Sequence, residues 1–267
     1  MTGDQDLLAA WGPLVCLCLF AGMMTMHEVG RHLGMRRRAR DPEGSRLGLG
    51  PVESATFGLL GLLIAFTFSG AATRFDARRN LVTEEANFIE QAWLRVDLLP
   101  EGDQPEMRGY FREYLDARLA AYDKLPDLAA AAAELERART LQHTIWKGAV
   151  SATRNDGSGS PPPFNANLVL GAINSMIEIT TSRTMATRLH PPAVVYGMLF
   201  TAALMAALLA GYNSAGGKTR GLLHAVGLAS IVSIVLFVII DMEHPRVGMI
   251  RVDAVDVVLR ELRRTMN

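Results

Sequence analysis

The chain has 267 residues, of which 49% are hydrophobic, and its 27 Lys and Arg residues balance 27 Asp and Glu. The distribution behind that average excludes a soluble globular protein. Four apolar runs, 7–26, 55–72, 194–212 and 221–240, each approach the ~20 residues that a hydrocarbon core of ~30 Å requires of a helix, so the chain reads as an integral membrane protein.

The first run follows an acidic start, and no small-x-small cleavage site comes after Met26, so it is expected to be a retained span rather than a signal peptide. Cys16 and Cys18 both lie within it. Two residues apart on a helix they point to opposite sides, which suits neither a disulfide nor a metal pair and leaves them as apolar filler. The following "HEVGRH" resembles a zinc-protease motif but fails on spacing. His27 and His32 are five apart, roughly 140° around a helix, whereas two ligands to one zinc need the i,i+4 face. No metal site is expected. "RRRAR", Arg36–Arg40, stands beside a span, so anionic lipid headgroups explain it better than nucleic acid does.

The second run is the informative one. Gly58, Gly61, Ala65, Ser69 and Ala72 recur at three and four residues, a small-residue stripe that lets another helix approach closely. Beside it Leu62, Phe66 and Thr73, with Ser69 or Gly70 between, form a stripe that turns from apolar to polar and reaches Arg74. Two readings stay open for it. In one, the spans pack as a plain bundle and the polar groups bond neighbouring backbones. In the other, several copies of this helix surround an axis, with Leu62 and Phe66 as a hydrophobic constriction and Thr73 and Arg74 at a wider polar mouth.

The stretch 73–190 is too long and too charged for a loop and is expected to be a helical domain inserted between the second and third spans. It is Ala-, Leu-, Glu- and Arg-rich and is punctuated at Leu99-Pro100, at Leu125-Pro126 and in "NDGSGSPPP", 155–163. Helices are placed at about 73–98, 105–124, 127–153 and 165–189. Met107, Tyr110, Phe111, Tyr114, Leu115 and Leu119 make an apolar stripe on the second of them, read as bundle core. "DMEHPRVG" follows the last span and reads as an interfacial helix end stopped by Pro245. The alternative role for it is to lock the tail against Arg183 or Arg188 at a subunit interface. The tail is expected to open at Asp253 and to end in a short basic amphipathic helix. No nucleophile elbow, phosphate loop or dinucleotide fingerprint occurs, so neither an enzyme nor a cofactor is expected.

Three stretches, "LLGLLIAFTFSGAATRFDARRNLVTEEAN", "LRVDLLP" and "DMEHPRVGMIRVDAVD", resemble the bacterial bestrophin-like membrane proteins over nearly the whole chain. A weaker similarity extends to true bestrophins, which are pentameric anion channels. That resemblance implies a homo-oligomer in the bacterial inner membrane that passes small anions, with Leu62 and Phe66 at neck positions and Thr73-Arg74-Phe75 matching the step that follows the neck. Gly58 departs from the pattern, standing where a third bulky neck residue is expected. The acidic calcium clasp of animal bestrophins has no counterpart. The alternative to a channel is a non-conducting sensor or scaffold whose helical domain binds a ligand or partner.

The expected architecture is therefore all-α, with a first transmembrane hairpin at 1–72, an extramembrane helical domain at 73–190, a second hairpin at 191–241 and a C-terminal amphipathic tail at 242–267. Basic residues do not decide its orientation: eight in the two loops on one side face seven near the helix ends on the other. The bestrophin similarity leans toward a cytoplasmic middle domain.

Overall fold

A computed structural model describes residues 3–41, 50–125, 127–154, 163–215, 222–244, 248–250 and 256–266. Among these residues the regular structure is helical: α1 (Gly3–Arg40), α2 (Gly50–Leu94), a 3-10 turn (Arg95–Leu98), α3 (Gln104–Asp123), α4 (Leu128–Arg154), α5 (Pro163–Arg188), α6 (Ala193–Ser214), α7 (Leu222–Glu243) and α8 (Val257–Thr265). Four stretches contain windows long and apolar enough to cross a membrane: Gly12–Arg40, Gly50–Leu98, Asn165–Ser214 and Leu222–Glu243.

The second span and the first helix of the polar region are one element. With no Pro or Gly between Gly70 and Leu94, nothing interrupts the backbone ladder, and α2 runs for 45 residues. It stops before Leu99, which precedes Pro100 and is extended, with its N–H donating to Val96 O at 3.0 Å. Pro105 lies in the first turn of α3, where its missing N–H costs nothing. Asp127 caps α4 by accepting the Ala130 N–H at 3.0 Å. The expected linker at 155–163 and the expected cap at Asp253 fall, except for Pro163, outside the described residues.

The chain divides into two compact units. One holds Met1–Arg74 and His190–Ile250, and the other holds Phe75–Leu189 and Arg251–Asn267.

In the first unit, Leu19 and Met23 of α1, Leu60 and Ala71 of α2, Leu199, Ala203 and Ala206 of α6, and Val232, Leu236 and Ile239 of α7 share one apolar core. The close helix contact lies between α1 and α6. A Cβ added at Gly30 would overlap Leu208 O, one at Gly34 would meet Tyr212 O, and one at Gly211 would overlap His27 O. Backbone against backbone is the geometry that small residues permit in a membrane.

In the second unit, Ile89 and Trp93 of α2, Phe111, Tyr114 and Leu115 of α3, Ile145 of α4, and Ile173 and Met176 of α5 form the core, joined by Leu259 and Leu262 of α8. The expected stripe on α3 is thus core, with Tyr110 and Leu119 at its edge. The tail helix is not an isolated surface element. It docks on α3 through those two leucines, through Arg263, which binds both Asp116 oxygens at 2.7 and 3.0 Å, and through Arg260, 2.7 Å from Asp123.

Candidate functional site

Among the described residues the outward face of α2 in the first unit is uncovered. Leu60 and Ala71 point into the core, so residues half a turn away point out. Phe66 is 69% exposed and Leu62 51%, and Gly58, Gly61, Ala65, Ser69 and Thr73 are exposed as well, with Ala72 partly covered. A Cβ at Gly58 or Gly61 would meet no atom of the described residues within 4 Å. Both stripes therefore face away from the packed core of the first unit. The close helix contact that a small-residue stripe permits is made elsewhere in the chain, by Gly30, Gly34 and Gly211.

The Thr67 and Thr73 hydroxyls on this helix are satisfied locally. Thr67 donates to Leu63 O at 2.7 Å and Thr73 to Ser69 O at 2.9 Å, each a bond back to the preceding turn that leaves no polar hydrogen unpaired in an apolar setting.

Arg74 departs from the stripe. One residue beyond Thr73, it is turned by roughly 100° toward the chain's packed side. Its Nε and Nη2 both donate to Oε1 of Glu243, at 2.8 and 2.6 Å. The Arg74 side chain is 32% exposed whereas that of Glu243 is completely buried. Gly70 explains how the guanidinium fits: a Cβ there would lie 3.2 Å from Arg74 Nη1 and 3.5 Å from Nη2, so its absence lets the arginine fold back over the preceding turn.

The other oxygen of Glu243, Oε2, lies 3.5 Å from His190 Nδ1, a contact rather than a strong hydrogen bond. The His190 ring stacks on His244, with centroids 5.2 Å apart and planes 18° from parallel. His244 Nδ1 is 3.0 Å from Ile240 O, which fixes the proton on that nitrogen in the neutral ring. Asp241 folds the following backbone onto the end of α7, accepting the N–H groups of Met249 at 2.9 Å and Ile250 at 2.7 Å. Gly248 packs so closely on this carboxylate that a Cβ would lie 2.7 Å from Cγ.

The described part of this motif, Asp241 to His244 and Gly248, therefore meets Arg74, His190 and backbone, while Pro245, expected to stop the helix, lies outside the described residues. Arg183, one of the two arginines suggested as its partners, pairs with Glu85 within the chain. Sequence reasoning found the motif and found Arg74 but did not connect them, since 169 residues separate the partners. The available signal was weak: an acid at the end of a long apolar run needs a cation, and several arginines qualify.

Among the described residues, no group of three His, Cys, Asp or Glu side chains is arranged to hold a metal ion. His27 is buried with its carbonyl against Gly211, while His32 is exposed.

A helical chain with four candidate spans and exposed apolar faces is a multi-pass membrane protein in contact with the lipid bilayer. It belongs to the bestrophin-like family, whose domain model matches residues 49–256. No curated protein and no solved structure matches the chain.

Proposed function

We propose that the protein is a homo-oligomeric, anion-permeable channel of the bacterial inner membrane, in which the outward face of α2 from each copy lines the pore. Leu62 and Phe66 form the apolar constriction, Thr73 stands at the wider mouth beside Arg74, and Gly58, Gly61, Ala65, Ser69 and Ala72 meet the neighbouring copy. The observation that carries this reading is the exposure of Phe66 and Leu62, 69% and 51%, on the face that leads to Ser69 and Thr73. Lipid alone would accept the phenylalanine and leucine but gains nothing from the hydroxyls that follow them.

A narrow ring of apolar side chains opposes ions by expelling water. Phe66→Ala widens that ring, so single-channel conductance or open probability is expected to rise, with Leu62→Ala acting in the same direction. Currents in planar bilayers, recorded beside the mass of the solubilised complex, test this. Intact oligomers of wild type and both variants that pass no current across voltage and chloride gradients would instead support a non-conducting scaffold.

A further inference from the structure

We infer that an open groove on α4, in the helical unit, is a binding site for a small organic anion, a phosphate or carboxylate joined to a planar apolar group. The inference goes beyond the channel reading and does not depend on it.

Trp146, Lys147, Val150, Ser151 and Arg154 line a groove of about 350 Å³. Helix geometry puts all five within roughly 140° of one face. The rest of the helix is firmly seated: Ile145 and Ala149 are fully buried in the core of the unit, and a Cβ at Gly148 would lie 2.8 Å from Met107 Cε on α3. A helix packed this closely presents its outer side chains from a rigid base.

The groove is chemically divided. Trp146 and Val150, one turn apart and each half-buried, form an apolar strip, while Lys147, Ser151 and Arg154 are exposed beside it. Lys147 and Arg154 are seven residues apart, so they project from nearly the same side of the helix with about 10 Å of rise between them. Long helical side chains lean toward the N-terminus, which carries the Arg154 guanidinium back over Ser151 toward Lys147. Among the described residues neither cation has an ion-pair or hydrogen-bond partner. Their own helix does not neutralise them, because α4 has no Asp or Glu after Glu136, and the acids that precede them pair with other arginines: Glu134 with Arg137 and Glu136 with Arg139, both at 3.6 Å.

A cation in the last turn of a helix is favoured by the helix dipole, which accounts for Arg154 by itself. It does not account for Lys147 two turns earlier or for the indole between them. An anion held by both cations gains charge-assisted hydrogen bonds, with Arg154 offering a planar fork and Ser151 a hydroxyl. The indole and Val150 then cover the apolar part of the same molecule. Neither an inorganic ion nor a neutral ring alone uses both halves of the groove.

Calorimetric titration of the folded, full-length protein in matched detergent tests this, with naphthyl phosphate and inorganic phosphate as the probes. Naphthyl phosphate should bind, and more tightly than inorganic phosphate. Lys147→Gln with Arg154→Gln should weaken it by at least about tenfold. Arg139→Gln, which removes an exposed cation of the same helix outside the groove, should leave it unchanged. Trp146→Ala should reduce naphthyl phosphate to the affinity of inorganic phosphate, whereas Trp146→Phe keeps an aromatic face and should retain the preference, which also keeps the test readable if Trp146→Ala does not fold. A folded wild type that takes up neither probe overturns the inference. So does equal affinity for the two probes, and so does a folded double variant that binds naphthyl phosphate as wild type does.

Discussion

Glu85 shows how much of this molecule's stability rests on single side chains. It is completely buried in the helical unit, with Oε1 2.8 Å from Arg118 Nε and with Oε2 bound by Arg183. Tyr122 lies under both guanidinium groups, with its ring centre 5.5 Å from Arg118 and 5.0 Å from Arg183. Buried Asp256 adds a second negative charge near Arg118. Burial pushes the neighbouring Tyr114 phenol above its usual range, so that ring stays neutral and accepts a hydrogen bond from Gln142. Removing one partner from such a cluster costs more than the cluster contributes, because the remaining charges stay buried. Glu85→Ala should destabilise the protein by ~3–5 kcal/mol. Asp76→Ala, which breaks an exposed pair with Arg79 at 3.7 Å, should stay within ~1 kcal/mol of wild type. Chemical unfolding of the solubilised protein can be followed by tryptophan emission, since Trp93 packs edge-on against Phe111 in the same core. Equal midpoints for the two variants would show that the buried cluster contributes no more than the surface pair.

At the scale of elements, glycine plays opposite parts in two helix faces. Gly30, Gly34 and Gly211 let the backbones of α1 and α6 touch, while Gly58 and Gly61 face open space. Gly211→Ala must push two backbones apart and is expected to cost ~1–3 kcal/mol or more, seen as lower folded yield and earlier thermal unfolding. Ala65→Leu, on the open face of α2, should leave the fold of one chain intact and weaken the proposed oligomer, which gel filtration of the solubilised protein reads directly. If Ala65→Leu assembles normally, the α2 stripe does not pack against another copy.

The contrast also marks what could be read from sequence. Helix positions were legible, because periodicity and prolines fix them locally: the expected helices at 105–124, 127–153 and 165–189 match α3, α4 and α5 to within a few residues. The small-residue stripe on α2 was equally visible, but which glycines touch a backbone depends on helices from distant parts of the chain. The same limit hid the bond between Arg74 and Glu243, because charge type is local information and partner choice is not.

For the whole molecule, α2 governs which parts face which side of the membrane. Its 45 residues make about 68 Å of helix at 1.5 Å rise, roughly twice the hydrocarbon thickness, so about half of it must leave the apolar layer. The apolar half ends near Ala72, and Arg74, Asp76, Arg78, Arg79, Glu84 and Glu85 follow within three turns, far too many charges for lipid. If this helix crosses once, residues after it lie opposite to those before it. Arg38, exposed at the end of α1, and Glu136, exposed on α4, should then stand on opposite faces. Arg38→Cys and Glu136→Cys, each made after Cys16 and Cys18 have been replaced, can be challenged with a membrane-impermeant maleimide in sealed vesicles. Only one of the two should react from a given side. The arginine-rich end of α1 argues for its cytoplasmic placement, whereas the likeness to bestrophins argues for a cytoplasmic helical unit, so Glu136→Cys is expected to label from the cytoplasmic face. Labelling of Arg38→Cys from that face instead would reverse the orientation and leave the crossing intact. Labelling of both from one face would mean that α2 does not cross, and with it would go the pore that its outward face is proposed to line.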